Sequence, residues 1–263
     1  MRYIANVSFG KDSLAMLFYL VAKKWPLDEV VYYNNGMEFD AIYQTRDAVL
    51  PLLEAWGIKY TELTPERPFL FDMLERKIKY RDKPGYHYGY EWCGGPCRWG
   101  TAEKLRALRA YGGDAIQYVG LAADEEHRFA KSAYPTRRLP LVTWGKTEAD
   151  CLAYCYSLGF KWLEDSILGP VPLYELLDRV SCWCCSNKNL KELKNIYLYL
   201  PRYWTRLKGL QSKLSRPMKG YYKGQSKGVF ELEERFRNEL LEDANADKRR
   251  QSVHSKKHQE RTR

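Results

Sequence analysis

The chain has 263 residues, a hydrophobic fraction of 45% and a formal net charge of +10. That length buries a sizeable core, as one α/β domain or a domain with an appendage. With no apolar stretch long enough for a bilayer, a membrane-spanning protein is excluded. A strand that begins almost at Met1 leaves no room for a signal peptide, so a cytoplasmic location and no membrane partner are expected. Seven cysteines in such a chain are metal ligands, redox groups or core residues rather than a disulfide framework.

Tyr3-Ile4-Ala5-Asn6-Val7 has the length and β-branched content of a buried strand, and Leu14, Leu17, Phe18 and Val21 recur at helical spacing. Between them lies Ser8-Phe9-Gly10-Lys11-Asp12-Ser13. A strand, tight polar loop and helix in that order converge backbone N–H groups and a helix N-terminus on one point, which favours an anion. Gly10 permits close backbone approach, Lys11 brings a mobile positive charge, and the Ser8 and Ser13 hydroxyls donate to phosphate oxygens or cap the helix. The plainer alternative is a βα turn whose polar residues only cap a helix. The Walker spacing of two glycines before Lys-Ser/Thr is missing.

Glu29 to Tyr33 reads as a second strand, ending in Asn34-Asn35-Gly36-Met37-Glu38, and the strand–helix–strand spacing predicts a right-handed parallel βαβ unit. Ligands in such sheets sit beyond the carboxyl ends of the strands, which puts Gly36 and Glu38 beside the loop; a surface turn is the alternative. Ile42, Val49, Leu53 and Trp56 mark a helix in which Pro51 starts a new turn or a bend, and Gly57 stops it. Ile58 to Leu63 is a third strand, Pro65 to Lys79 a loop plus helix, and Tyr80 to Tyr90 loop. These repeats predict an α/β fold with a doubly wound parallel sheet.

A helix with Leu105 and Leu108 follows, then a strand over 115–121 and a loop over 122–128. Thr147 with Asp150 predicts a capping box opening a helix on which Cys155 is a small core residue. From about residue 187 to Leu241 the chain reads as a helical C-terminal cap, interrupted at Pro201. Residues 244–263 hold seven Lys and Arg against Asp247 and Glu260, half of the net charge, in a stretch without apolar periodicity. That composition predicts a disordered tail, either a solubilising segment or a nucleic-acid contact.

Cys93 and Cys97 form one close pair, and Cys182 and Cys185 enclose a C-x-x-C with Cys184 inside. Two thiol pairs in Gly- or Trp-containing loops are what a four-thiolate site needs, and spacing alone leaves iron–sulfur and zinc open.

The six residues from Ser8 to Ser13 closely resemble the S-G-G-K-D-S loop of the PP-loop family of ATP pyrophosphatases, with Phe9 where the family has its first glycine. Cys97-Arg98-Trp99-Gly100-Thr101 with Lys104, the loop from Gly120 to Arg128, Pro140 to Trp144 with Asp150, and the last C-x-x-C look like the phosphoadenosine phosphosulfate (PAPS) reductase-like branch. The similarity runs from Ser8 to about Asn187. It implies an adenine nucleotide alpha hydrolase-like, Rossmann-like domain over 1–243, before the tail of 244–263. It implies ATP and Mg²⁺ on Ser8, Phe9, Gly10, Lys11, Asp12, Ser13, Gly36 and Glu38, with Lys11 and Asp12 catalytic. Arg98, Lys104, Asp124, Glu125 and Arg128 are the implied substrate contacts. A [4Fe-4S] cluster falls on Cys93, Cys97, Cys182 and Cys185, with Cys184 as alternative ligand or free thiol and Zn²⁺ as alternative metal.

Several departures narrow the activity. No cysteine follows Cys185, where reductases carry a redox thiol, and Lys11-Asp12-Ser13 is intact, which implies ATP cleavage. Asn34-Asn35-Gly36 stands where relatives have an Asp-Thr-Gly-like turn, leaving Glu38 as candidate acid. Ala122 stands where relatives have Arg, with Arg128, Lys131, Arg137 and Arg138 downstream as replacements or as a solvated loop. The expected function is ATP-dependent, pyrophosphate-releasing sulfur transfer to a nucleic acid or nucleotide-like acceptor. The alternatives are a PAPS or adenylylsulfate reductase using an external thiol and a non-catalytic, zinc-stabilised nucleotide-binding module. A sulfur-donor protein, nucleic acid and a homo-oligomeric or larger complex are the partners this reading admits.

Overall fold

The computed structural model describes residues 1–93, 97–129 and 134–244. Lys131 and the tail beyond residue 244 lie outside the described residues. The chain divides into two compact units, meeting between Lys188 and Asn189.

The first unit opens with β1 (Tyr3–Asn6), α1 (Lys11–Ala22), β2 (Glu29–Tyr33), α2 (Asp40–Ala55) and β3 (Lys59–Leu63). It continues with α3 (Phe69–Leu74), β4 (Lys77–Lys79), β5 (Tyr86–Tyr88), a wide helical turn (Arg98–Glu103), α4 (Lys104–Gly112) and β6 (Ile116–Val119). It closes with β7 (Arg137–Arg138), α5 (Pro140–Thr143), α6 (Glu148–Ser157), β8 (Leu163–Ser166), β9 (Gly169–Pro172) and α7 (Leu173–Leu176).

Five strands form one wholly parallel sheet in the order β3-β2-β1-β6-β7. All residues of β2 are buried, as expected of a strand paired on both edges and covered on both faces. The chain winds from β1 outward to β3, then returns to set β6 on the other side of β1. With right-handed crossovers, α1 and α2 cover one face and α4 the other. Ile4, Val31 and Tyr33 pack with Leu108 of α4 and with Ala115, so alternation turns Ala5, Val30 and Tyr32 to the opposite face. Each fully buried aliphatic side chain in these layers contributes about 1.5–3 kcal/mol. The order reverses between β1 and β6, and the carboxyl ends of those two strands define the crevice where doubly wound sheets bind ligands.

Three segments differ from the sequence expectation. α2 runs through Pro51 without ending, because Pro51 and Asp47, whose carbonyl loses its helical partner, both face solvent. The stretch expected as helix and loop over 77–90 is an antiparallel hairpin, Lys77 opposite Tyr88 and Lys79 opposite Tyr86. β8 and β9 form a second hairpin in a region given no strand from sequence.

In the second unit a capping box opens α8 (Leu190–Tyr199): Asn189 Oδ1 accepts from Glu192 N at 2.8 Å and Glu192 Oε2 from Asn189 N at 2.9 Å. α9 (Pro201–Gln211) starts on its proline, and a helix over 229–244 supplies Phe236, whose ring lies 5.9 Å from that of Trp204. Beyond the expected break at Pro201, the stretch read as helix to Leu241 is interrupted again by the hairpin of β10 (Tyr221–Tyr222) and β11 (Gln225–Ser226). Lys223 and Gly224 both have positive φ there, as a tight hairpin turn requires.

Candidate active site

α1 starts directly beyond β1, and its first-turn N–H groups have no intrahelical acceptor. Ser8 N–H donates to Ser13 Oγ at 3.1 Å, and Ser13 Oγ donates to Gly10 O at 3.1 Å, closing the loop on itself. Lys11 N–H donates to Tyr174 Oη at 2.8 Å. Phe9 adopts a left-handed φ of 58°, the conformation that glycine takes freely. Its side chain is fully buried, edge-on to Tyr32 at 5.2 Å, and its carbonyl accepts from Trp162 Nε1 at 2.7 Å. Phe9 therefore offers a ligand its backbone only. A Cβ on Gly120 would lie 2.7 Å from Ser13 Cα, so glycine alone lets the end of β6 pass this close to α1.

These segments enclose a cavity of about 190 Å³, lined by Ser8, Gly10 to Ser13, Gly120, Glu125, Arg128, Glu148, Tyr174 and the stretch 178–180. Lys11 Nζ lies 2.8 Å from Asp12 Oδ1 and 3.4 Å from Glu148 Oε2. Asp12, Glu125 and Glu148 each offer an oxygen within 4.8 Å of the others. Burial raises the Asp12 carboxyl to about 6, against the pull of Lys11 and with Glu148 and Glu125 adding to the rise. Three crowded carboxylates with one ammonium form a set that a hard divalent cation would relieve, so these residues fit Mg²⁺. Glu125 accepts from Ala122 N at 3.3 Å and from the Arg128 guanidinium. Asp124 instead accepts from Glu148 N at 3.0 Å, which anchors the start of α6 and with it Glu148.

The cysteine segments meet elsewhere on the carboxyl side of the sheet. Asn35, just after β2, donates to Cys182 Sγ at 3.0 Å, and Gly100 N–H donates to Cys97 Sγ at 3.4 Å. A Cβ on Gly100 would lie 3.8 Å from both Cys97 Sγ and Cys182 Sγ, and the Ser186 hydroxyl donates to Cys93 O. Among the described residues no three thiol sulfurs come within 4.8 Å of one another. A tetrahedral zinc with Zn–S bonds of about 2.3 Å would hold its sulfurs roughly 3.8 Å apart. A cubane, whose thiolates bind four separate irons, spreads them further. Four soft thiolates brought to one side of the sheet fit an iron–sulfur cluster or a zinc ion. Burial pushes the Cys182 and Cys184 thiols up.

Of the residues singled out from sequence, Ser8, Gly10, Lys11, Asp12, Ser13, Glu125 and Arg128 come together in the cavity. Glu38 does not line it. Burial raises its carboxyl, Lys104 and Lys188 draw it down, and its charge acts on Cys182, which places Glu38 and Lys104 with the cysteines. Gly36, at φ 77°, serves the turn after β2. Arg98 lies over the Tyr90 ring at 4.2 Å, in a separate cavity. Arg137 and Arg138 donate to the carbonyls of Phe129 and Pro135, leaving Arg128 as the described downstream arginine in the site. Cys151 and Cys155 are fully buried, and Cys155 Sγ donates to Lys11 O at 3.4 Å. Glu148 and Tyr174 escaped the sequence reading. The only signal for Glu148 was its place one residue after the cap Thr147.

The chain is thus an α/β protein with a doubly wound parallel sheet and a tight polar loop at its switch point. No protein-family model matches it. It is 26% identical over 207 residues to uncharacterized protein MJ0066 of Methanocaldococcus jannaschii, covering 75% of this chain and 38% of that protein. The chain therefore spans well under half the length of the curated relative it matches. Among solved structures, the U34-tRNA thiolase NcsA from Methanococcus maripaludis with its [4Fe-4S] cluster is similar over 92% of this chain and 73% of its own, at a TM-score of 0.42 and 16% identity. That overlap is too loose to carry function.

Proposed function

We propose that this chain is an ATP-dependent adenylating enzyme of PP-loop type that activates an oxygen of a nucleic-acid acceptor for replacement by sulfur. The observation that carries the reading is the cavity at the β1–β6 crevice, where Lys11, the start of α1 and three clustered carboxylates meet. Polyphosphate oxygens find charge and N–H donors at the loop, and Asp12, Glu125 and Glu148 would hold the Mg²⁺ that accompanies them.

The acceptor oxygen attacks the α-phosphorus of ATP. The bond to the β-phosphate oxygen breaks, and pyrophosphate leaves with the electron pair. Lys11 and the first-turn N–H groups of α1 stabilise the charge that gathers on that leaving group. A sulfide-level nucleophile then adds to the activated carbon, and AMP departs with the former acceptor oxygen. Cys93, Cys97, Cys182 and Cys185 would hold a [4Fe-4S] cluster, with Cys184 as the alternative ligand. When bound, such a cluster supplies iron that binds sulfide. Asn35, by donating to Cys182 Sγ, orients that thiolate.

ATP labelled at the α-phosphate tests this with anaerobically purified protein supplied with mixed RNA as acceptor and inorganic sulfide. AMP and pyrophosphate are the expected products, and Lys11→Ala lowers the rate by about 10²-fold or more while circular dichroism stays unchanged. Release of ADP and phosphate, or an unchanged rate in the variant, overturns the reading.

A further inference from the structure

The β4–β5 hairpin is unexplained by packing. Its cross-strand register puts Lys77, Lys79, Tyr86 and Tyr88 on one face and Ile78 and His87 on the other, and none of the six is buried. Tyr86 and Tyr88 are 54% and 65% exposed, so two aromatic rings stand in water where a fold alone would place polar groups. Lys77 Nζ lies 4.3 Å from the Tyr86 ring centroid, and at the turn Lys83 Nζ lies 4.3 Å from that of Tyr80. From Lys77 to Tyr88 the only acid is Asp82, against Lys77, Lys79, Arg81 and Lys83.

The arm is nevertheless held firmly at its root. Gly89 N–H donates to Arg76 O at 2.8 Å, Tyr90 N–H to Asp72 O at 3.0 Å and Glu91 N–H to Met73 O at 3.1 Å. A Cβ on Gly89 would lie 2.2 Å from Met73 O, so the exit of the arm is seated against α3. At that root Tyr90 is flanked by two guanidiniums, Arg76 at 5.3 Å and Arg98 at 4.2 Å. They border a cavity of about 440 Å³ that also takes in Arg67 and Arg106, with Glu66, Asp72 and Glu103 in its wall; Asp72 pairs with Arg76 at 3.3 Å and Glu103 with Arg106 at 3.7 Å.

We infer that this hairpin and the Arg76–Tyr90–Arg98 stack bind a single-stranded segment of nucleic acid. Exposed tyrosines give π-faces for unpaired bases, the interleaved lysines meet the phosphates, and the exposed Arg67 and Arg98 at the cavity continue the track from the arm's root. A duplex keeps its bases stacked within and offers those rings nothing. The inference rests on the reading of a nucleic-acid acceptor and names where such an acceptor lies.

The test measures fluorescence anisotropy of labelled mixed-sequence oligonucleotides, ribo and deoxyribo, single-stranded and duplex, on the full chain. The double variant Tyr86→Ala/Tyr88→Ala is expected to weaken single-strand binding about tenfold or more, while Tyr86→Phe/Tyr88→Phe retains it. Lys77→Gln/Lys79→Gln is expected to reduce the slope of log K against log salt by about 1.4. ATP binding without oligonucleotide stays unchanged in all of these variants, since none of the substituted residues lines the cavity at the start of α1. Loss of ATP cleavage in the parent protein with oligonucleotide binding intact would remove the adenylating reading and leave the arm. Unchanged affinity in the alanine variant, equal loss in the phenylalanine variant, preference for duplex, or binding to phosphatidylserine vesicles in place of oligonucleotides overturns the inference.

Discussion

Replacing Asp12 by Asn tests the electrostatics of the cavity without reference to any substrate. The carboxyl is raised from 3.8 to about 6, first by burial and then by Glu148 and Glu125, and its side chain is only 22% exposed. A gap of about two units corresponds to about 3 kcal/mol. The native state holds its proton more tightly than the unfolded chain, so this group's contribution to stability falls as pH rises from about 4 through about 6. Asp12→Asn removes that loss. It also removes one partner of Lys11, which keeps Glu148 at 3.4 Å, so a net gain of about 2 kcal/mol is expected at pH above about 7. In a chain of this size that raises the melting temperature by about 4–8 °C. Thermal unfolding of both proteins at about pH 4 and about pH 7.5 is the assay, with the difference between them expected to grow with pH. Mg²⁺ is expected to raise the melting temperature of the parent more than that of the variant. A variant that is less stable at neutral pH, or a difference independent of pH, refutes the assignment of Asp12 to a crowded, buried carboxylate cluster.

Two further outcomes follow from the packing. Phe9→Gly restores the residue found in the resembled loop and relieves a left-handed φ worth about 1–2 kcal/mol, but it empties a fully buried ring site worth about 3–5 kcal/mol. Denaturant unfolding is expected to show a net loss of about 2–3 kcal/mol, and a stabilised variant contradicts the ring's place in the core. Cys182→Ser is expected to strip iron and acid-labile sulfide from anaerobically purified protein, whereas Cys155→Ser, fully buried under α1, retains both. Equal metal loss in the two variants, or one zinc per chain in the parent, counts against the cysteine assignment.

The parallel sheet was legible because its strands carry their own signal. Val30-Val31 and the 115–121 run, apolar but for Gln117, read as strands covered on both faces, and Thr147 with Asp150 formed the expected capping box. The hairpins were not legible for the opposite reason. β4 and β5 bury nothing, so Lys77-Ile78-Lys79 and Tyr86-His87-Tyr88 show no core-facing alternation. β10 and β11 are two residues each, and only the Lys223-Gly224 turn marks them. Pro51 misled because the cost of an internal proline depends on whether the freed carbonyl faces water, which helical register decides and composition does not.

The candidate site divides along the same line. Ser8 to Ser13 is contiguous and was legible as a unit, whereas Glu148 enters from α6 and Tyr174 from α7, brought in by tertiary packing alone. Phe9 shows how far that packing can substitute for a sequence rule. The backbone at position 9 keeps the left-handed turn a glycine would adopt freely, held by the Trp162 indole on its carbonyl and by the ring wedged against Tyr32. The strain is thus opposed by buried apolar contact instead of being avoided, and the first turn of α1 still points its donors into the crevice between β1 and β6. Position 9 thus holds a glycine-like turn without a glycine, provided that the two aromatic neighbours holding it remain.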